Sequence, residues 1–403
     1  WWTRKPLVGA RSAIIASVLS DTLEPIDFLK MIGKVKVEKG KLVLDGTPHR
    51  RSPTTLEKYK AYENYFKGKK LLDPFAGFGS IPLEAMRLGM DVTAVELLPT
   101  AYVFLKAVLD YPARYGEELV KNVERWGKWV TERLKEDKVI QELYDDEVAV
   151  YIGSWEIKCP HCGRWTPVVG NWWLARVKKK VKGKEVYTRL AFFKPVKDGD
   201  AINVEVVDLN EIHSDVSKAR VDARRGIIEI DGKTYTVRKA NIYARGNKAW
   251  CLHCDMEIRF VDEEGNHYSE REGKDVEWYV KWALKKYNEG DERFARQRLL
   301  VRVRIEDGDL VFEPADERDN AKLERAKEKI REWIEKGDPN VPLDDIPQYD
   351  PRNVWVVNYG FFKWSHMFNP RQLLTLVKLV KLIREVGKKV EQEKIAEGWN
   401  KEN

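Results

Sequence analysis

Apolar positions near the start of the chain recur at helical spacing. Leu7, Ala10, Ile14, Ile15 and Val18 share one face, so residues 1–30 read as an aromatic-basic arm running into a helix. Val35, Val37, Leu42 and Leu44 alternate across 34–45 and predict a hairpin turning at Lys39-Gly40. A helix over 54–67 leads into a short apolar strand, Lys70-Leu71-Leu72-Asp73, which ends in an acid. A helix over 80–89, a strand from Asp91 to Glu96, helices over 99–110 and 116–137, and a buried strand at 147–152 follow. This β-α-β-α order predicts a parallel, doubly wound sheet.

The pattern changes near Trp155. From there to about 260 the chain has short alternating runs, glycine turns and two Cys-x-x-Cys pairs, which read as an inserted β-rich module. Highly charged helices are expected over 275–299 and 316–336, a Pro/Asp-rich linker over 338–352, and a last long helix over 370–396. Leu373, Leu376, Val377, Val380 and Ile383 line one face of that helix. The expected division is therefore an arm (1–50), the first half of an α/β core (51–154), the inserted module (155–262), a charged helical segment with linker (263–350), and a return to the core (351–403). No internal repeat is visible.

Composition sharpens this picture in a few places. The 403 residues suit two or three domains at about 150 residues each. The Lys- and Glu-rich, Gln-poor surface resembles that of a hyperthermophile protein. A net charge of +7 fits either an anionic polymer partner, nucleic acid above all, or a solvated Lys/Glu surface with a small remainder. No apolar run approaches the roughly 18 residues needed to span a bilayer, so no membrane partner is expected. No signal peptide is recognised, and four cysteines in two close pairs do not make a secreted disulfide framework, which points to the cytoplasm.

The most informative stretch is Asp73-Pro74-Phe75-Ala76-Gly77-Phe78-Gly79-Ser80, set between a strand and a helix. Its glycines let the backbone pass close to a bound cofactor. The acid at the strand tip suits a cationic ligand better than a pyrophosphate. S-adenosylmethionine, with its ammonium and sulfonium, meets that requirement. Glu96 ends the next strand, where a carboxylate is able to accept hydrogen bonds from both ribose hydroxyls of an adenosine. The cofactor-site candidates are Asp73, Pro74, Phe75, Ala76, Gly77, Gly79, Ser80, Glu96 and Leu97.

With Ile81-Pro82-Leu83-Glu84-Ala85 after it, this string resembles the first motif of DNA adenine methyltransferases. It is most similar to a prokaryotic family of adenine-specific DNA methylases containing a zinc ribbon (the DUF1156 family). Trp1-Trp2-Thr3-Arg4-Lys5-Pro6-Leu7 looks like that family's tryptophan-rich N-terminal motif, and Glu96-Leu97-Leu98-Pro99-Thr100-Ala101 is similar to its second motif. There Leu98 replaces the usual Asn, and with it any contact made by that amide. Trp172-Trp173-Leu174-Ala175 and Phe368-Asn369-Pro370-Arg371-Gln372-Leu373-Leu374 also look like family landmarks. The resemblance implies a Rossmann-like S-adenosylmethionine-dependent methyltransferase core with a partial sheet, an inserted zinc-ribbon module and DNA as substrate. It also implies that Trp1, Trp2, Arg4 and Pro6 pack near the methionine end of the cofactor, although the residues alone equally suit an arm anchored to the sheet.

Cys159-Pro160-His161-Cys162 and Cys251-Leu252-His253-Cys254 hold all four cysteines. Two such loops complete a tetrahedral, structural zinc site formed by Cys159, Cys162, Cys251 and Cys254. Separate redox motifs and inert buried thiols are the alternatives. The 88 residues between Cys162 and Cys251 are tolerable because loop-closure cost grows only logarithmically. His161 and His253 read as flanking groups and not as ligands.

Between the pairs, Trp172 and Trp173 precede Arg176, Lys178, Lys179 and Lys180. Rings beside cations suit stacking on bases and neutralising phosphates; a core tryptophan pair beside a solvated lysine hairpin is the competing reading. His366, Asn358 and Tyr359 lie in an aromatic segment for which approach to a flipped base is one reading and core packing the favoured one. The chain contains no Asn/Asp-Pro-Pro-Tyr/Phe string, the loop that orients an exocyclic amine in amino-methyltransferases; Asn369-Pro370-Arg371 and Asp350-Pro351-Arg352 lack its second proline and its ring. The expectation is an N-terminal, cofactor-binding portion whose catalytic loop lies in another segment or a partner subunit. DNA is the favoured substrate. An RNA methyltransferase and a non-catalytic zinc-dependent nucleic-acid binder remain as alternatives.

Overall fold

The computed structural model describes residues 6–19, 23–44, 52–56, 58–145, 147–181, 183–243, 246–271, 273, 275–348 and 354–400. The expected sites at Trp1, Trp2, Arg4 and Asp350-Pro351-Arg352 lie outside the described residues. The chain is a mixed α/β protein of several small sheets, dividing into two units, Trp1–Lys128 and Trp129–Asn403.

In the first unit, helices α1 (Leu7–Val18) and α2 (Pro25–Met31) precede the hairpin of β1 (Val35–Glu38) and β2 (Lys41–Leu44), which turns at Lys39-Gly40. Then come α3 (Tyr59–Phe66), β3 (Lys70–Asp73), α4 (Ser80–Arg87), β4 (Asp91–Ala94), α5 (Pro99–Leu105), a π-helical turn over Lys106–Asp110, and α6 (Tyr111–Glu136). Ile14, Ile15, Met31, Phe66, Ala85 and Leu88 form the core. Within it, buried Arg11 on α1 donates to Glu84 on α4 at 2.6 Å, and Arg87 donates to the other Glu84 oxygen at 2.8 Å. That carboxylate is thereby neutralised without water, as a buried charge requires. Strands β3 and β4 run parallel, with Lys70 opposite Asp91 and Asp73 opposite Ala94. They are the only parallel pair among the described residues.

In the second unit, the end of α6 is followed by α7 (Lys138–Leu143), whose first N–H groups at Val139 and Ile140 donate to the Asp137 side chain at 3.0 and 3.2 Å. Strand β5 (Val148–Lys158) corresponds to the strand expected at 147–152, but it is not a third parallel strand. It lies inside an antiparallel sheet ordered β20-β19-β5-β6, with β6 (Trp165–Pro167), β19 (Ala295–Glu306) and β20 (Asp309–Pro314). It also runs unbroken through the expected boundary at 154/155. Strands β7 (Trp173–Val181), β8 (Lys184–Asp198) and β9 (Ala201–Asp208) form a meander, followed by the short α8 (Leu209–Ile212).

Three small antiparallel sheets come next. They comprise β10–β12 (Arg220–Asp222, Ile227–Ile230, Lys233–Thr236), β13–β15 (Ile242–Tyr243, Lys248–Trp250, Glu257–Ile258) and β16–β18 (Phe260–Val261, His267–Tyr268, Glu277–Trp278).

The helix expected over 275–299 is shorter. Helix α9 spans Tyr279–Asn288, and Gly290, at φ +99°, ends it. The arginines at 296, 298, 302 and 304 then alternate with buried Leu299, Val301 and Val303 on strand β19. Their charge imitates a solvated helix; their pairing with Glu156 and Glu313 makes a strand. Helix α10 (Glu317–Glu335), the short α11 (Val354–Val357) and α12 (Pro370–Ala396) follow. Asp316 with Asp319, and Asn369 with Gln372, close capping boxes at the starts of α10 and α12. On α12, Leu373, Leu374 and Val377 are buried, whereas Leu376, Val380 and Ile383 of the expected apolar face are exposed. No helix among the described residues is long and apolar enough to cross a membrane.

Candidate functional site

The parallel register sets Asp73, the last residue of β3, opposite Ala94, where β4 ends; Glu96, expected as the end of that strand, lies two residues beyond it, across the glycine loop from Asp73. Asp73 accepts the Phe75 N–H at 3.1 Å, and its carbonyl accepts from Val95 at 2.9 Å. Ala76 N–H donates to the Val95 carbonyl at 3.0 Å, so loop and second strand are laced together. Glu96 completes the closure. One carboxylate oxygen accepts from Gly77 N–H at 2.7 Å; the other accepts from Leu97 and Leu98 N–H at 2.8 and 3.1 Å. The backbone donors of Leu98 and Gly77 hold the Glu96 carboxyl below the usual carboxylate range, with Leu97 adding to them against a smaller effect of burial. The acid expected to face a ribose is thus ionised and already pinned, with one further lone pair left on the oxygen that Gly77 meets.

The two glycines differ in role. Gly77 has φ +53° and open space where a Cβ would stand. Gly79 has φ +76°, and a Cβ there would meet Leu105 Cδ2 at 2.7 Å. Gly79 therefore serves the packing of α4 against α5, and only Gly77 leaves backbone clear for a ligand; the expectation that both glycines clear a cofactor is corrected to that extent. Ala76 and Ser80 are buried, while Phe75 and Leu97 stand 88% and 92% exposed beside the loop. Pro74 is also exposed.

The four cysteines converge in the second unit. Cys159 directly follows β5, and Cys162 lies on the turn after it; Cys251 and Cys254 lie on the turn between β14 and β15. Their Sγ atoms all lie within 4.8 Å of one another, with 3.8 Å between Cys159 and Cys254 and 3.7 Å between Cys162 and Cys251. A disulfide needs about 2.05 Å. A zinc tetrahedron with Zn–S near 2.3 Å has edges of about 3.8 Å. The cluster is placed to hold a metal ion and is compatible with zinc.

Both loops are built alike. Cys159 N–H donates to Arg164 and Gly163 N–H to Cys159 in the first; Cys251 N–H donates to Met256 and Asp255 N–H to Cys251 in the second. Gly163 and Asp255 take φ +71° and +55°. The Cys159 thiol and the N–H groups of Cys254 and His253 lower the Cys251 thiol to about 4, while the thiolate it faces pushes Cys159 up. A metal ion bound here would displace the remaining thiol protons. His161 is exposed, its Nε2 3.0 Å from the Glu257 carbonyl; His253 is buried, with Nε2 unpartnered.

The expected nucleic-acid residues part company. Trp172 is 0% exposed, its ring centroid 4.8 Å from that of Phe193, so it offers no face to a base and the expectation is corrected. Trp173 is half-buried under the Arg176 guanidinium, 4.9 Å from its ring. Lys178 stands over Tyr187 and 3.4 Å from Glu185 on the partner strand of the exposed hairpin. Sequence reading missed a cavity in the second unit lined by Trp155, Gln297, Phe361, His366 and Phe368. Only the aromatic density of 354–368 signalled it, because the opposition of Trp155 and Gln297 exists only once β5 and β19 pair. No family model, curated protein or solved structure matches this chain.

Proposed function

We propose that the chain binds S-adenosylmethionine at the tips of β3 and β4 and serves methyl transfer to the exocyclic amine of adenine in DNA. One observation carries the reading: two acids at adjacent parallel strand tips enclose a loop whose one unobstructed backbone point is Gly77. The carboxyl ends of parallel strands are where open α/β sheets bind ligands. Glu96, ionised and held by three N–H groups, is oriented before any ligand arrives. Asp73 adds a second negative charge favouring a cation. Bound there, S-adenosylmethionine supplies an electrophilic methyl group for an amine nitrogen that sheds a proton.

The four thiols hold zinc in a purely structural role, since four protein ligands leave no open position. The chain lacks an Asn/Asp-Pro-Pro-Tyr/Phe string, so turnover requires that loop from another segment or subunit. The same absence favours a second reading, a non-catalytic zinc-dependent nucleic-acid binder. Calorimetric titration of the zinc-loaded chain with S-adenosylmethionine, followed by methyl-transfer assays on adenine-bearing DNA and RNA, separates these readings. No heat of binding, with DNA binding that a chelator abolishes, would replace the first reading by the second; transfer to RNA alone would change the substrate.

A further inference from the structure

Within the second unit, a cavity of about 560 Å³ opens between the β5/β19 face and the segment leading into α12. That volume lies within the usual range of small-molecule sites, about 300–1,000 Å³. Gln297 stands directly opposite Trp155 in the antiparallel ladder, so both side chains project to one face. The Trp155 ring meets Tyr287 and Phe361 edge-on, at centroid distances of 4.9 and 6.4 Å. Phe361, Phe368 and His366 also line the space.

Two polar atoms here are buried without any hydrogen-bond partner: Gln297 Oε1 and His366 Nδ1. Leaving such a group unmet is costly, and native structures keep few of them without a reason. Burial holds the His366 imidazole below its ordinary pKa, and its unpartnered Nδ1 donates or accepts according to tautomer. Gly360 itself is locked in place. Its φ is +76°, and a Cβ would lie 2.4 Å from Lys285 Cα, so the aromatic segment is fixed against α9.

An unmet amide oxygen and an unmet imidazole nitrogen between aromatic walls specify their ligand. It must be flat, and it must bring an N–H donor for Gln297 Oε1 and a second polar atom for His366 Nδ1. The lining guanidinium, Arg298, is already bonded to Glu156, Asn203 and the Ile202 carbonyl, so the cavity has no spare charge for a phosphate. A purely apolar guest would leave both polar atoms unmet. We propose that this cavity receives an amino-bearing nucleobase ring of the adenine or cytosine type, as a free nucleoside or as an unstacked base of a strand. The inference does not rest on the glycine loop.

The test is calorimetry on the full, zinc-loaded chain with adenosine, cytidine, uridine and purine riboside, which has the rings of adenosine without the amine. Adenosine and cytidine should bind at least tenfold more tightly than purine riboside and uridine. Gln297→Leu should remove that preference, and a short adenine-bearing single strand tested against the same variant tells a strand base from a free nucleoside. Gln297-dependent binding of either form supports the proposal. Equal binding of adenosine and purine riboside, or no binding of any probe, overturns it without reference to a variant's fold. Adenosine binding lost in Glu96→Ala and kept in Gln297→Leu would move the ligand to the glycine loop and also overturn it.

Discussion

The carboxylate of Glu96 accepts the backbone N–H of Gly77 at 2.7 Å, tying the tip of one strand to the loop that follows its neighbour. The bond is charge-assisted and sets the loop's shape before a ligand binds. Replacing Glu96 with Ala removes this anchor and the charge together. S-adenosylmethionine affinity should fall about ten- to hundredfold, matching the roughly 1.5–3 kcal/mol of hydrogen bonds to charged groups. Far-ultraviolet circular dichroism should be unchanged, because Glu96 packs against no core cluster. Undiminished affinity in calorimetry would remove Glu96 from the cofactor site.

The two loop glycines should respond differently to alanine. Gly77→Ala forces a side chain into a left-handed φ with free space around it, a cost of about 1–2 kcal/mol. Its main effect should be on ligand affinity. Gly79→Ala adds a clash with Leu105 to the same backbone strain. Its main effect should be on unfolding, with a lower urea midpoint than Gly77→Ala. The reverse ranking would show that the two positions had been assigned the wrong way round.

This contrast shows what can be read from residues alone. The strand, loop and helix from Lys70 to Arg87 were legible because the signals are local: an apolar run, a glycine turn and a helical face. The cysteine cluster was legible because Cys-x-x-Cys spacing encodes its own geometry. Strand β19 was not, since arginines alternating with leucine and valine imitate a charged helix until Glu156 and Glu313 stand opposite them. Nor was the burial of Trp172, which depends on Phe193 from the next strand. The reason for Gly79 lies on α5, beyond the reach of any local pattern.

Zinc should bind one per chain and, once bound, support the surrounding core. Cys159 and Cys251 are buried among Ile157, Ala249, Ile258, Val261, Tyr279 and Trp282. Zinc at roughly a thousandfold its Kd stabilises the folded state by about 4 kcal/mol. Chelation should lower the melting temperature accordingly, and Cys251→Ser should bind cobalt without the intense absorption of a tetrahedral four-thiolate site. Wild-type protein that melts identically with and without chelator would refute a structural metal.

His267 should give the second unit an acid-sensitive margin. Burial, reinforced by neighbouring His161, lowers its pKa to about 4 from an ordinary 6.5, and its Nε2 accepts the Arg259 N–H at 3.2 Å. The unfolded chain therefore binds a proton that the folded chain refuses between those values. Stability contributed by this group is complete above 6.5 and falls as the pH drops toward 4. Thiolate protonation and zinc loss act in the same direction, so the measurement is a difference. His267→Gln should show a shallower decline in melting temperature between pH 7 and 4.5 than wild type. Parallel declines would assign the whole slope to the thiolates.

Adjacent Trp172 and Trp173 should separate stability from recognition. Truncating fully buried Trp172 to Ala should cost about 3–5 kcal/mol of unfolding free energy. Its buried Nε1–H has no acceptor, so Trp172→Phe discards an unmet donor along with volume and should cost much less. Trp173 is half-buried under Arg176 and beside Phe192, and Trp173→Ala should lower the urea midpoint clearly less than Trp172→Ala. If the β7–β8 hairpin touches nucleic acid, Trp173→Ala should weaken single-strand binding by the roughly 1–3 kcal/mol of one base stack. Arg176→Ala should reduce the salt slope of binding by about 1. Lys178→Ala should do less, because Glu185 already shares its charge. Fluorescence anisotropy at several salt concentrations measures all three variants; unchanged affinity and slope in Trp173→Ala and Arg176→Ala would leave the hairpin as a solvated edge and move the search for the nucleic-acid surface elsewhere in the chain.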